Sequence, residues 1–199
     1  MNTPGLIPPH GGFRKLRSFQ CAQVVYDGTV IFCNRFIDKK SRTHDQMVQA
    51  ARSGVQNIAE GSVASSTSKK IELKLTGIAR ASLRELLLDF EDFLRQRKLC
   101  QWDKNDPRAL AVRGKFKEYK SDQSDQSDRS DMSDMSDLSD LYRFNELPAE
   151  ELANTLICLI NQASYLLWQQ LKYLEKEFLR SGGFTERMYN ARKSYRNNR

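Results

Sequence analysis

The sequence predicts an all-α fold: an antiparallel four-helix bundle with a long flexible insertion between helices 3 and 4 and a short C-terminal suffix. Three observations lead there. Four segments repeat apolar residues at steps of three and four, the spacing of one helical face. The links after the first and second segments are short and polar, which sets neighbouring helices antiparallel. Between the third and fourth segments the pattern lapses over residues 99–147.

Residues 1–12 carry three prolines and three glycines and read as a disordered lead. A helix then opens at Phe13, with Leu16, Phe19, Ala22, Val25, Thr29, Phe32 and Phe36 on its apolar face. Gly28 inside it costs about 1 kcal/mol relative to alanine. Thr43 is placed to N-cap a second helix from His44, whose buried stripe is Met47, Val48, Ala51, Val55, Ile58 and Ala59. Gly61 is expected to end that helix, being free to turn left-handed. A serine-rich turn follows, with Thr67 or Ser68 as the next cap.

The third helix is expected from about residue 69 to 98, thirty residues spanning roughly 45 Å. Its stripe reads Ile71, Leu75, Ile78, Ser82, Leu86, Phe90 and Phe93. Asp106-Pro107 can start a short helix through Val112 and Phe116. Residues 121–141 are seven consecutive Ser-Asp-x triplets. They fit neither a period of 2 nor one of 3.6, and their few apolar groups do not offset ordering entropy, so the tract reads as a flexible loop.

The fourth helix starts near Pro148, a residue suited to a first helical turn. It carries Leu152, Leu156, Leu159, Ala163, Leu166, Leu171, Leu174 and Phe178, and a second partial stripe at Ile157, Ile160, Tyr165 and Trp168. One stripe closes a core; the second is expected to meet another subunit. Ser181-Gly182-Gly183 stops the helix, so the bundle occupies 13–180 and a basic suffix occupies 181–199.

No run approaches the roughly 18 apolar residues of a membrane span, and the N-terminus has no signal-peptide pattern, so a cytoplasmic protein is expected. Cys21, Cys33, Cys100 and Cys158 form no C-x-x-C pair, and the first, second and fourth read as small buried hydrophobes. The sequence has no activated nucleophile, no glycine-rich phosphate loop and no metal-ligand set. No catalytic residue, metal or cofactor is therefore assigned, and no enzyme activity is expected.

Charge points to a partner. The net charge is +7, yet residues 121–141 hold seven Asp against one Arg, a net of −6, which leaves +13 on the remainder. Such a surplus is the footprint of a polyanion binder, RNA or DNA. The candidate phosphate contacts are Arg14, Lys15 and Arg17 at the first helix, Arg80 and Arg84 on the third, and Arg187, Arg192, Lys193 and Arg196 in the suffix. The suffix also interleaves Phe184, Tyr189 and Tyr195, whose faces can stack on bases.

Three strings carry a resemblance. Ser53-Gly54-Val55-Gln56-Asn57-Ile58-Ala59-Glu60-Gly61 resembles the S-x-P-x-N-I-A-E-G segment of the four-helix-bundle proteins encoded in 23S ribosomal RNA intervening sequences. Ile78-Ala79-Arg80-Ala81-Ser82-Leu83-Arg84-Glu85-Leu86 resembles that family's A-R-G-S-L-x-E-L helix, and Phe13-Arg14-Lys15-Leu16 its F-R-K-L opening. The ending Gly182-Gly183-Phe184-Thr185-Glu186-Arg187 is similar to a suffix found on a subgroup. Val55 stands where the family often has proline, and Ala81 replaces its glycine, adding a methyl at a position expected to be packed.

That family is similar to the accessory variability determinant of diversity-generating retroelements. The resemblance implies a homo-oligomer, a pentamer, that binds nucleic acid and assists a reverse transcriptase, with no enzyme activity. It marks Asn57, Glu60, Gly61, Ser82 and Glu85 as motif residues. Asn57 and Glu60 read as a buried polar pair that caps a neighbouring helix and fixes register, in preference to a polar binding site. The function expected is a non-enzymatic, oligomeric nucleic-acid-binding scaffold. The alternative is a protein-interaction adaptor whose cations merely keep it soluble.

Overall fold

The computed structural model describes residues 12–122 and 138–197, and over them every regular element is helical. A 3-10 turn at Phe13–Lys15 precedes α1 (Arg17–Phe36), α2 (Arg42–Ala64), α3 (Lys69–Gln96) and α4 (Pro107–Asp122). After a helical turn at 138–140 come α5 (Ala149–Ser181) and α6 (Phe184–Asn197). The expected disordered lead, apart from Gly12, lies outside the described residues, as do residues 123–137 of the Ser-Asp-x tract.

Both α1 and α3 pack against α2 and α5, so the four helices close a cycle around one core. α1 buries the face its spacing predicts, including Phe19, Ala22, Val25, Thr29 and Phe32. The buried Thr29 hydroxyl donates to Val25 O at 2.7 Å, which removes the penalty of an unpaired polar group. Phe32 crosses the core to meet Phe90 and Phe93 of α3 edge-on, with ring centroids 4.9 and 4.7 Å apart. Such pairs add to the area they bury.

The caps of α2 differ from expectation. Ser41, not Thr43, is the N-cap: its backbone is extended and its Oγ accepts the Thr43 N–H at 3.2 Å. Gly61 does not end the helix, which continues to Ala64. A Cβ on Gly61 would stand 3.3 Å from Leu75 Cβ, so its small size serves the packing of α2 on α3. Ser68 caps α3 as expected, accepting the Ile71 N–H at 3.3 Å.

α3 buries a face one residue away from the predicted one over its first half. Glu72, Thr76, Ala79 and Leu83 turn inward, while Ile71 is 47% and Ile78 38% exposed and Ser82 is half-buried. From Leu86 onward the predicted stripe is right: Leu86, Phe90 and Phe93 are buried, joined by Leu87 and Leu94. Ala81 is exposed, so the extra methyl there meets no packed neighbour within the chain.

The stretch expected as a long loop contributes to the core. Ala109, Val112 and Phe116 on α4 are buried, as are Tyr142 and Phe144. Leu138, inside the Ser-Asp-x tract, is 1% exposed, and Ser139 Oγ hydrogen-bonds Asp27 Oδ2 at 2.6 Å. The end of the tract is therefore docked, because one leucine and one hydroxyl find partners on the helical cycle.

α5 begins after Pro148, as expected, and buries Leu152, Leu156, Leu159, Ala163 and Leu174. Of its second stripe, Ile157 and Ile160 are buried within the chain and need no second subunit. Tyr165 and Trp168 remain exposed, at 57% and 40%. Gly182 ends α5 with φ +66°, a conformation that costs glycine nothing. Glu186 Oε2 then accepts the Gly183 N–H at 2.8 Å, at the start of α6.

Candidate nucleic-acid interface

α3 divides its polar residues between two neighbours. On the α5 side, Gly77, Arg80, Ala81 and Arg84 recur at the helical repeat and line a groove of about 680 Å³. Asn161, Ser164, Tyr165 and Trp168 of α5 form the opposite wall, and Leu87 and Leu171 complete the apolar lining. A Cβ on Gly77 would meet nothing within 4 Å, so small residues keep the groove wide. The Tyr165 and Trp168 rings sit 6.1 Å apart at a 32° tilt, and Gln169 Nε2 donates to the Tyr165 hydroxyl at 2.7 Å. Among the described residues, no acidic residue lines this groove.

On the α2 side the charge is mixed, with one cation and two carboxylates. Ser82 and Glu85 face Arg42, Asp45 and Ser53 across a second groove. The Ser82 and Ser53 hydroxyls are 3.0 Å apart and join α2 to α3. One turn on, the Asp89 carboxyl is held above its usual range by burial and by the nearby Glu85 and Asp92 charges.

The cations also sort by partner. Lys69, Arg95, Arg108, Arg143, Lys172 and Arg180 each pair with a nearby carboxylate. Among the described residues, Arg80, Arg84, Arg192, Lys193 and Arg196 have no carboxylate partner and are exposed, as are Arg14, Lys15, Arg17, Arg52, Lys70 and Lys74. Unpaired cations at the surface keep their full attraction for phosphate.

The other predicted contacts lie elsewhere. Arg192, Lys193 and Arg196 share one side of α6 with Thr185, Met188 and Tyr189. The Arg187 side chain lies outside the described residues. Arg14, Lys15 and Arg17 are exposed at the start of α1, with Arg14 over the Phe13 ring at 4.9 Å and Arg17 over Phe116 at 5.8 Å. None of these three lines the α3–α5 groove.

Asn57 and Glu60 do not form the expected buried capping pair. Glu60 is exposed. Asn57 is half-buried and donates to Ser53 O at 2.8 Å and Ser53 Oγ at 3.1 Å, back along its own helix. Their three-residue spacing shares a face, but that face rotates Glu60 outward. Cys21, Cys33 and Cys158 are buried free thiols, and burial raises Cys21 and Cys33 to about 12, which keeps them unreactive.

The sequence names Arg80 and Arg84 as phosphate contacts and Tyr165 and Trp168 as a subunit contact, and the structure sets the four along one groove. The available signal was the repeat Gly77, Ala81 beside Arg80, Arg84, small residues alternating with cations on a face too poor in apolar groups to be core. No helix of the described residues is long and apolar enough to cross a membrane, and among them no group of three or more His, Cys, Asp or Glu is placed to hold a metal. No protein-family model, curated protein or solved structure matches the chain.

Proposed function

We propose that the protein is a non-enzymatic nucleic-acid-binding scaffold, built on an antiparallel four-helix bundle and working as a homo-oligomer. The observation that carries this reading is that exposed cations without carboxylate partners stand beside aromatic side chains, in the α3–α5 groove and on α6. Arg80, Arg84, Arg192, Lys193 and Arg196 lack carboxylate partners among the described residues, and two of them share a groove with exposed aromatic rings. The cycle of α1, α2, α3 and α5 with short links after α1 and α2 supports the bundle. The resemblance to the ribosomal intervening-sequence proteins supports RNA or DNA as the partner, a pentamer as the assembly and a reverse transcriptase as the enzyme assisted.

The experiment is neutralisation of the α6 cations. Replacing Arg192, Lys193 and Arg196 with glutamine should weaken RNA binding about equally across sequences, because phosphate contacts carry no base information. It should flatten the slope of log affinity against log salt by up to about 2, at roughly 0.7 per lost single-strand contact. Unchanged affinity and slope would remove α6 from the reading. The adaptor reading draws on Tyr173 and Leu179, 64% and 79% exposed on the outer end of α5. It gains if RNA does not bind at low salt while a protein partner does.

A further inference from the structure

The α3–α5 groove has a chemistry more specific than positive charge. Its two arginines stand four residues apart on α3, and its aromatic pair stands three apart on α5, so cations line one wall and ring faces the other. A double helix presents phosphates but hides its base faces in the stack. A single strand presents both, and stacking on aromatic side chains accepts any base. Tyr165 accepts a hydrogen bond from Gln169 and packs at 6.1 Å from Trp168, and both rings are exposed, so the wall is formed before any ligand arrives. We infer that this groove is a binding site for single-stranded nucleic acid, in which Tyr165 and Trp168 stack unpaired bases while Arg80 and Arg84 hold the phosphates. Charge complementarity selects a polyanion, since the lining holds two cations and, among the described residues, no acid, and the exposed rings select one with unstacked bases. The inference rests on the nucleic-acid reading above and adds the strandedness and the place.

Trp168 reports on the site directly. The only other tryptophan, Trp102, is half-buried with Arg108 over its ring at 4.6 Å, away from the groove. In a full-length Trp102→Phe chain, the fluorescence of Trp168 is followed during titration with oligouridylate and, separately, with an RNA duplex of equal nucleotide concentration. Oligouridylate should quench Trp168, and the duplex should bind with little quenching. In the wild-type background, Trp168→Ala should weaken oligouridylate binding about 5- to 100-fold, the loss expected for one stacked base, and leave duplex binding nearly unchanged. A circular-dichroism melt checks that the variant is folded. Oligouridylate binding that neither perturbs Trp168 nor depends on it overturns the groove assignment and leaves the nucleic-acid reading standing. Failure of both RNAs to bind overturns both. Trp168 fluorescence that changes with protein concentration alone assigns the groove to a second copy of the chain, and the inference falls.

Discussion

Asn154, buried on α5, holds the backbone at Trp102: its Oδ1 accepts the Trp102 N–H at 2.8 Å. Its Nδ2 donates to Cys100 O at 2.8 Å and to Glu150 O at 2.9 Å, so one amide side chain ties the segment after α3 to α5. Asn154→Leu keeps the branched shape, with somewhat more bulk, and removes all three bonds. Each backbone group left short of a partner costs about 1–3 kcal/mol, less where water reaches it, so a loss of about 2–4 kcal/mol is expected in urea unfolding. A loss under about 1 kcal/mol would show that the amide is not a clamp.

Two glycines should respond oppositely to alanine. A Cβ on Gly28 would stand 2.6 Å from Leu156 Cδ2 and 3.0 Å from the Phe144 ring, whereas one on Gly77 meets nothing within 4 Å. Overpacking typically costs about 1–3 kcal/mol, against about 1 kcal/mol gained in helix propensity. Gly28→Ala should therefore lower the melting temperature, and Gly77→Ala should raise it. Stabilisation by Gly28→Ala would mean that α1 and α5 pack less closely.

Leu138 should matter although its neighbours in sequence are Ser-Asp triplets. It is fully buried, and truncating a buried leucine costs about 2–5 kcal/mol. Leu141, also the third residue of a triplet, is 37% exposed, and its truncation should cost well under 1 kcal/mol. Equal effects in thermal melts would place Leu138 outside the core.

The raised Asp89 carboxyl makes a signed pH prediction. Its folded-state value lies above the unfolded value of 3.8, so the folded state favours the protonated form. Stability from this group is therefore lost as the pH rises from 3.8 through the raised value, and the penalty is complete above it. Asp89→Asn should be more stable than wild type at neutral pH, with the advantage vanishing below 3.8. An advantage that grows toward acid would contradict the account. Denaturant midpoints across that range decide it.

Much of the fold is legible in the residues themselves. α1 and α2 each have one main apolar stripe, so their buried faces follow largely from spacing, whereas α5 has a second partial stripe of which Ile157 and Ile160 join the core. α3 misleads because Ile71, Leu73, Leu75 and Ile78 are apolar on several faces, and steps of three or four thread them in more than one way. Packing against α2 and α5 selects the face through Thr76, Ala79 and Leu83. Leu138 is hidden by a three-residue repeat whose period matches no regular element, and only its contacts mark it as core. The candidate site is half legible: Arg80 and Arg84 stand out as cations, but Tyr165 and Trp168 lie some eighty residues on. Spacing gives neither the partner of α5 nor its rotation, and both are needed to set those rings beside the arginines.

Binding of nucleic acid through unpaired surface cations makes affinity steeply salt-dependent, which a salt titration of the wild-type protein measures. Fluorescence anisotropy of a labelled single-stranded RNA is measured between about 50 and 200 mM salt. Five phosphate contacts at roughly 0.7 each should lower the affinity about a hundredfold over that range. Absence of binding at about 50 mM salt, or an affinity indifferent to salt, would contradict the account.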